Sequence, residues 1–230
     1  MDLKFTDLIY HKRNFLSKEV CDYLINESNE RHLEYTLEHC PEATTFVDTY
    51  STFKKVTLLP GTESYRIVHD ATEKMINEYH DFLDTFDSFH VGYRGCLLYS
   101  HQYRLLKYET GAKIHMHTDH DPYVYGSCTF NLNTDYTGGD FKFFRGKHTV
   151  SLGLGDALIF PADNFWVHEV SQITSGTRYS TNSFLQSVPE WVKEKLTERY
   201  AEIDRTPPTD PNHIQQLREG VYRVKGWNKR

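Results

Sequence analysis

The chain has 230 residues, of which 38% are apolar and 14% aromatic, and its 32 acidic residues outnumber 26 basic ones, giving a formal net charge of −6. This length suits about one large domain, and 16 Tyr and 14 Phe can build a core from large rings, which argues against disorder. The acidic balance argues against general binding to nucleic acids, because it repels their phosphates. Four widely spaced cysteines, none in a Cys-x-x-Cys pair, exclude a disulfide scaffold and a zinc ribbon.

The hydropathy pattern contains neither a targeting segment nor a membrane span. The first residues, Met1 to Phe5, lack the apolar run of a signal peptide, and no window approaches 18 apolar residues. We therefore expect a cytoplasmic protein without a membrane partner. The sequence gives no indication of oligomeric state.

The first 90 residues are mixed in pattern and rich in helix signals. Ser17 is suited to cap a helix predicted over Lys18–Glu27, and an apolar stripe at three- to four-residue spacing predicts a second helix over about 62–86. Residues 40–61 between them show little periodicity and are predicted to form a long loop. Long loops of this kind are often lids or binding segments.

From about residue 92 the pattern changes to short β-strands separated by Gly, Asp, Asn and Pro. The predicted strands are Arg104–Tyr108, Lys113–His117, Cys128–Asn133, Phe141–Phe144, Thr149–Leu152, Ala157–Phe160 and Arg178–Leu185. This density favours an antiparallel sandwich or barrel, with the jelly roll as one candidate. A helix is predicted again over Glu190–Tyr200, and a short basic tail follows the proline breaks near 207–211.

A histidine-rich segment at the end of one predicted strand contains the only His-x-Asp of the chain, His117 and Asp119. Because side chains of a strand alternate between its faces, these two project to the same side. An imidazole and a carboxylate side by side can take adjacent positions on a divalent metal ion, and one distant residue must complete the set. Two histidines and one carboxylate with open positions are typical of non-haem iron oxygenases.

Further motifs stand in a fixed order around this pair. They are Tyr108-Glu-Thr-Gly111, Asn131-Leu132-Asn133, Gly138-Gly139-Asp140, Gly155-Asp156-Ala-Leu-Ile-Phe160, His168-Glu169-Val170 and, ten residues past His168, Arg178. Over about residues 10–187 this order resembles the 2-oxoglutarate- and iron-dependent oxygenases, specifically their prolyl 4-hydroxylase-like branch. The ordered motifs are specific for the family and not for a substrate.

The resemblance implies roles for four residues. His117, Asp119 and His168 match the family's iron ligands, and Arg178 matches the basic residue that binds the distal carboxylate of 2-oxoglutarate. The assignment of Arg178 is chemically reasonable, since a guanidinium binds a carboxylate through two parallel hydrogen bonds and does not lose its charge.

Three more residues are implied in cosubstrate binding. Tyr108 falls where the family often has a tyrosine near the cosubstrate, and Ser180, on the same strand face as Arg178, would add a hydroxyl. The sequence departs from the family at Asn131, where a tyrosine that donates to the cosubstrate is common. That role falls here to Asn131, to Tyr108 or to a water molecule.

The fold that the resemblance implies is α+β but mainly β, in a single oxygenase domain over residues 1–230. It divides into helical support and a lid loop over 1–90, a double-stranded β-helix (jelly roll) over 91–187, and a C-terminal helix with a basic tail over 188–230.

The function that the resemblance implies is that of an iron- and 2-oxoglutarate-dependent dioxygenase, a hydroxylase that uses O2, releases succinate and CO2 and takes ascorbate as reductant. The implied target is a proline of a peptide or protein, and a free amino acid or small metabolite is the alternative. A non-catalytic, cupin-like metal-binding module is the alternative from another class, and a zinc hydrolase with the same triad is a further one. A non-catalytic module should have lost a metal ligand or Arg178, and all four residues are present. A zinc hydrolase does not need a basic residue ten residues past the last histidine.

Overall fold

The computed structural model describes residues 4–31, 36–39, 50–86, 96–97, 99–120 and 123–187. The predicted helix Glu190–Tyr200, the basic tail and residues 40–49 of the predicted lid loop lie outside these ranges. In the described part no helix is long and apolar enough to cross a bilayer.

Both predicted N-terminal helices are present, preceded by a short 3-10 turn at Phe5–Leu8. Helix α1 (Lys18–Glu30) begins after Ser17, whose side chain accepts a hydrogen bond from the Val20 amide at 3.4 Å. Helix α2 (Glu63–Asp84) begins in the same way after Thr62. Their apolar stripes pack against one face of a large sheet and form the main core with it.

Thirteen strands make up the rest of the described fold. In chain order they are β1 (Tyr10–Lys12), β2 (Thr36–His39), β3 (Tyr50–Thr57), β4 (Tyr99–Tyr108), β5 (Ile114–His117), β6 (Val124–Asn131), β7 (Tyr136–Thr137), β8 (Phe141–Phe143), β9 (His148–Val150), β10 (Ala157–Pro161), β11 (His168–Val170), β12 (Ser175–Gly176) and β13 (Arg178–Gln186).

All strand pairs are antiparallel and form two principal sheets. The large sheet has the order β1-β10-β6-β13-β4-β3-β2 and the small sheet the order β5-β11-β8-β9, with β12 and β7 forming a separate pair. Two further apolar clusters join side chains of both sheets, one around Phe143 and Phe160 and the other around Tyr108 and Ile173. The sheets therefore face each other, as expected for a jelly roll, and enclose a space between them.

Alternation along the central strands separates two environments. Tyr103 and Leu105 of β4 belong to the core under the helices, whereas Leu106 and Tyr108 belong to a cluster between the sheets. The face of the large sheet that carries Tyr108 is therefore its inner face.

The predicted loop over residues 40–61 is wrong for residues 50–57. Residues 50–57 form strand β3, which pairs with β4 through Lys54 opposite Lys107 and Val56 opposite Leu105. The adjacent lysines Lys54 and Lys55 interrupt the apolar alternation, so the strand is specified by pairing with β4 rather than by a local pattern. Strand β2 extends the same edge, and the N-terminal segment thus contributes to the large sheet as well as to its helical support.

Each of the seven strands predicted downstream is present, with shifted ends. Strand β4 starts five residues earlier than predicted, at Tyr99, and β6 runs over Val124–Asn131 rather than Cys128–Asn133. The unpredicted strands β1, β7, β11 and β12 are two or three residues long. Elements this short carry too few residues for a period to be recognised.

Candidate functional site

Two neighbouring strands of the small sheet bring the predicted ligands together. His117 ends β5 and His168 begins β11, and the two are direct cross-strand partners, with ring centroids 4.4 Å apart. Asp119 follows two residues after β5, and its carboxylate oxygens lie 3.2 Å from Nε2 of His117 and 3.5 Å from Nε2 of His168. The three donor atoms lie within 4.8 Å of one another, which fits a single metal ion.

Each of these side chains is oriented by a second contact. Nδ1 of His117 lies 2.8 Å from the carbonyl oxygen of His115, and Nδ1 of His168 lies 2.9 Å from that of Trp166. When Nδ1 carries the proton and donates to the carbonyl, Nε2 directs its lone pair at the shared centre. The hydroxyl of Ser127 donates to Asp119 at 2.5 Å.

The charges within the cluster favour metal binding. Burial tends to raise the pKa of Asp119, but the neighbouring His168 and His117 and the Ser127 hydroxyl hold this pKa well below its usual range. Burial lowers the pKa of His168 to about 4. Burial also acts to lower the pKa of His117, but the hydrogen bond to Asp119, the charge of Asp119 and the hydrogen bond to the His115 carbonyl together outweigh burial and raise it. At neutral pH the carboxylate is therefore ionised and His168 is neutral, which are their metal-binding forms.

The donor set is that of a facial metal site. Two imidazole nitrogens and one carboxylate oxygen suit a divalent first-row metal ion, and they leave coordination positions for other ligands. Among the residues that the structure describes, no other group of three histidine, cysteine or acidic side chains is close enough to hold a metal ion.

Arg178 forms the second part of the site. It begins β13 opposite Tyr108, so both side chains lie on the inner face of the large sheet, and only 1% of Arg178 is exposed. Its guanidinium carbon lies 5.0 Å from the ring centroid of Tyr108 and 5.6 Å from that of Phe141 on the facing sheet. Arg178 is therefore held between the two sheets by an aromatic ring from each.

The buried guanidinium presents an unoccupied pair of donors. Its Nε donates to Oδ1 of Asn131 at 3.1 Å, but in the described part of the chain neither terminal nitrogen has a hydrogen-bond partner. The buried hydroxyl of Ser180, two residues along the same face, also lacks one there. Buried polar groups without partners are costly, and a planar pair of N–H donors fits a carboxylate. These atoms accordingly fit the carboxylate of a bound dicarboxylate such as 2-oxoglutarate.

Arg178, called the anchor from here on, and the metal ligand Asp119 both contact residues on the inner face of strand β6 in the large sheet. Ser127, which contacts Asp119, and Asn131, which contacts Arg178, lie four residues apart on β6, or about 13 Å along the strand. An even separation places both side chains on the same face. The space between the sheets thus has the candidate metal ligands at one end, the metal end, and the Arg178 guanidinium at the other, the anchor end.

Tyr108 and Asn131 contact Arg178 in different ways. The Tyr108 ring packs against the guanidinium, whereas Asn131 binds its Nε through Oδ1. The amide nitrogen of Asn131 donates to the carbonyls of Asn133, Leu152 and Gly153. Both ends of the Asn131 amide are thus engaged with the protein itself.

Sequence reasoning missed three residues that shape the site: Ser127, Tyr136 and Phe141. The hydroxyl of Tyr136 donates to Oδ1 of Asn131 at 3.0 Å. Ser127 lies at even spacing from Asn131 in β6, but the predicted strand Cys128–Asn133 begins one residue too late to include it. Tyr136 and Phe141 meet Arg178 or its partner only through tertiary packing, which leaves no mark in the local pattern.

Comparison with known proteins points to one family. Residues 103–186, which include the three candidate ligands and Arg178, match the model of the 2OG-Fe(II) oxygenase superfamily. A PKHD-type hydroxylase of Acinetobacter baumannii is 39% identical over 66 residues, which are 27% of this chain and 28% of that protein. The match thus spans little more than a quarter of the length of the curated relatives.

Solved structures show the same fold. The viral collagen prolyl hydroxylase of Paramecium Bursaria Chlorella virus-1, in its 2OG complex, superposes with a TM-score of 0.58 at 16% identity, over 79% of this chain and 97% of that one. A prolyl hydroxylase of Trichoplax adhaerens, in complex with a peptide fragment of the hypoxia inducible factor oxygen degradation domain, gives 0.59 at 13% identity, over 79% and 84%. The predicted double-stranded β-helix is confirmed. The central segment of this chain is thus similar to the 2OG-Fe(II) oxygenase superfamily, and its fold is similar to that of prolyl hydroxylases of low sequence identity.

Proposed function

We propose that this protein is an Fe(II)- and 2-oxoglutarate-dependent hydroxylase whose substrate is a prolyl residue of a peptide or protein. The observation that carries the proposal is the pairing of a His-Asp-His cluster with a buried guanidinium whose two terminal nitrogens lack partners among the described residues. A metal-binding module or a zinc hydrolase would not need the second feature. The family's cofactors, Fe(II), 2-oxoglutarate and O2, together supply the oxidation that hydroxylates a C–H bond and yields succinate and CO2.

The chain's own residues have three tasks in this reaction. His117, Asp119 and His168 hold the metal ion, and Asp119 is oriented by Ser127 and kept ionised chiefly by the two neighbouring histidines. Arg178 binds the distal carboxylate of 2-oxoglutarate through its terminal nitrogens.

The third task is to exclude water from the anchor. The rings of Tyr108 and Phe141 flank the Arg178 guanidinium, and the apolar cluster around Phe53 and Ile173 packs beside Tyr108. In a site closed to water the guanidinium interacts more strongly with a carboxylate.

A peptide substrate is supported by the relatives in fold, two of which are prolyl hydroxylases and one of which binds a peptide fragment. Exposure within the site agrees with entry from the metal end. The His117 side chain is 20% exposed, whereas Arg178 is 1% exposed. A small-molecule substrate, such as a free amino acid, would use the same opening and is the second candidate.

The test is succinate formation from 2-oxoglutarate by the purified chain with Fe(II), ascorbate and O2, with and without a panel of proline-containing peptides and free amino acids. We expect slow succinate release without substrate and stimulation by one or more peptides. His168→Ala should remove the activity, whereas His69→Ala, on the exposed side of α2, should retain it.

Stimulation by a free amino acid alone would replace the peptide substrate with a small one. No succinate under any condition, together with no 2-oxoglutarate binding to the Mn(II)-loaded protein in anaerobic calorimetry, would contradict the hydroxylase.

A further inference from the structure

We infer that Asn131 is a positioning residue, which fixes the orientation of Arg178 and thereby selects a five-carbon dicarboxylate over shorter and longer ones. The inference rests on the proposed function and extends it. It also assigns a task to Asn131, whose role in cosubstrate binding the sequence left open between Asn131, Tyr108 and a water molecule.

The first step is that the protein fixes which way the Asn131 amide points. Asn131 is fully buried, and its backbone exchanges hydrogen bonds with the turn after β9, through Asp156 and Gly155. Its amide nitrogen donates to the carbonyls of Asn133 at 2.6 Å and Gly153 at 3.1 Å. An amide nitrogen surrounded by carbonyl oxygens cannot exchange places with Oδ1 without burying acceptor against acceptor. Oδ1 must therefore face the opposite direction.

The second step is that Oδ1 takes up the one donor of Arg178 that would otherwise compete for the ligand. Oδ1 accepts from Nε of Arg178 at 3.1 Å and from the hydroxyl of Tyr136 at 3.0 Å. A guanidinium can bind a carboxylate along its Nε edge or along the edge formed by its two terminal nitrogens. With Nε bound to Asn131, the terminal edge is the one that remains.

The third step is that the rest of the side chain has little freedom to adjust. A Cβ atom placed on Gly139 would lie 2.9 Å from Cδ of Arg178, so the stem of the arginine passes where this residue has no side chain. The rings of Tyr108 and Phe141 lie near the guanidinium carbon. The stem of Arg178, the plane of its guanidinium and the edge that binds the ligand are thus all fixed before a ligand arrives. The anchor is therefore preorganised.

Selection by length follows from this rigidity. The metal ligands belong to β5, β11 and the residues after β5, and the anchor belongs to β13, so the separation between the two ends is a property of the paired sheets. When the Arg178 side chain cannot change its orientation, a ketodiacid with one carbon more or less fits poorly between the metal ligands and the guanidinium. If Arg178 were no longer bonded to Asn131, its guanidinium could shift, and ketodiacids of other lengths would bind better.

The experiment measures direct binding, so that it does not depend on turnover. Anaerobic calorimetry of the Mn(II)-loaded protein gives dissociation constants for 2-oxoglutarate, for oxaloacetate with one carbon less, and for 2-oxoadipate with one carbon more. The variants are Asn131→Ala and the milder Tyr136→Phe, which removes only the hydroxyl that donates to Oδ1. We expect Asn131→Ala to weaken 2-oxoglutarate about ten- to a hundredfold and Tyr136→Phe about two- to fivefold.

Two further expectations separate positioning from general damage. The preference for 2-oxoglutarate over the other two ketodiacids should shrink in both variants, while affinity for Mn(II) stays unchanged. The matched control is Asn133→Ala in the same Asn-Leu-Asn motif. Its side chain bonds the carbonyl of Thr177 and the amide of Tyr179 but does not contact the guanidinium. It should lower the thermal midpoint and leave the length preference as in the wild type.

The outcomes are distinguishable. Wild-type affinity and wild-type length preference in both Asn131→Ala and Tyr136→Phe would overturn the inference while leaving the hydroxylase intact. An equal loss of preference in Asn133→Ala would reduce Asn131 to a structural residue. Absence of ketodiacid binding in the wild type would overturn the proposed function and this inference together.

Discussion

The two ends of the space between the sheets differ in how their polar groups are arranged and exposed. At the metal end, the polar groups point at one another across an open centre, and part of the His117 side chain reaches solvent. At the anchor end, Arg178 is enclosed by Tyr108, Phe141 and Asn131, and its free donors face inward. One end is arranged to exchange ligands and the other to recognise a single shape. Both are needed if the cosubstrate is to be held while substrate and O2 come and go.

The largest effect is expected from a substitution that removes a ligand at the metal end only. Asp119→Ala removes the carboxylate between the two histidines, so succinate release should fall to background and Fe(II) should be lost on desalting. The thermal midpoint of the metal-free protein should stay near that of the wild type, because Asp119 lies beyond the end of β5 and its loss leaves the paired strands of His117 and His168 intact. Metal analysis, the succinate assay and calorimetric melting measure the three quantities. Full turnover in this variant would contradict the ligand assignment.

The next largest effect is expected from a substitution of Arg178 at the anchor end only. Arg178→Ala should raise the 2-oxoglutarate concentration needed for half-maximal succinate release about a hundredfold or more, with Fe(II) affinity little changed, since two charge-assisted hydrogen bonds are lost. Arg178→Lys keeps the charge but not the paired donors and should fall between alanine and wild type. Titrations of 2-oxoglutarate and of Fe(II) separate the effects, and equal shifts in both would mean that the ends are not independent.

Sequence reasoning reached these two ends unequally. His117, Asp119, His168 and Arg178 were predicted because their spacing and order are linear features of the chain. The orientation of Asn131 was not, because it depends on carbonyls of Leu152 and Gly153 that only the fold brings near. Strand β3 was not predicted for the same reason, since its adjacent lysines interrupt the apolar alternation and the strand is specified by pairing with β4. Local periodicity reports faces and elements, and it does not report which distant group satisfies a buried donor.

A smaller effect is expected from a substitution at Gly139, where both the backbone conformation and the contact with Arg178 restrict the residue type. Gly139 has φ +76°, and an added Cβ would lie 2.8 Å from Cδ1 of Ile173 and 2.9 Å from Cδ of Arg178. Gly139→Ala should destabilise the fold by about 2–4 kcal/mol from backbone strain and overpacking together, and it should weaken 2-oxoglutarate binding without affecting Fe(II).

The matched control is Gly146→Ala. Gly146 has a similar φ of +79° but no atom within 4 Å of the added Cβ, so it should cost about 1–2 kcal/mol and leave cosubstrate binding unchanged. Urea unfolding and calorimetric titration measure both variants. Equal effects on 2-oxoglutarate binding would show that contact with Arg178 is not what matters at Gly139.

The smallest expected effect is on the pH dependence of stability, and it involves Asp156, in the turn that supports Asn131. Burial acts to raise the pKa of Asp156, but hydrogen bonds from the Asn14 and Gly153 amides and from His11 lower it overall. A depressed pKa contributes stability that is present above the unfolded-state pKa, about 4, and is lost as the pH falls through the folded-state value. Stability should therefore fall below about pH 4, and less steeply in Asp156→Asn. Unfolding curves from pH 7 to pH 2 measure this, and identical slopes would contradict it.

The cross-strand pairing of His117 with His168 has a consequence for how the protein would acquire its metal. Because the two imidazoles are neighbours in a hydrogen-bonded ladder, the entropy of bringing them together is lost when the sheet forms and not when the ion arrives. Metal affinity then reflects ligand chemistry with little reorganisation, and loading becomes a late, reversible event on a finished scaffold. A protein built this way can lose its ion and regain it without passing through an unfolded state.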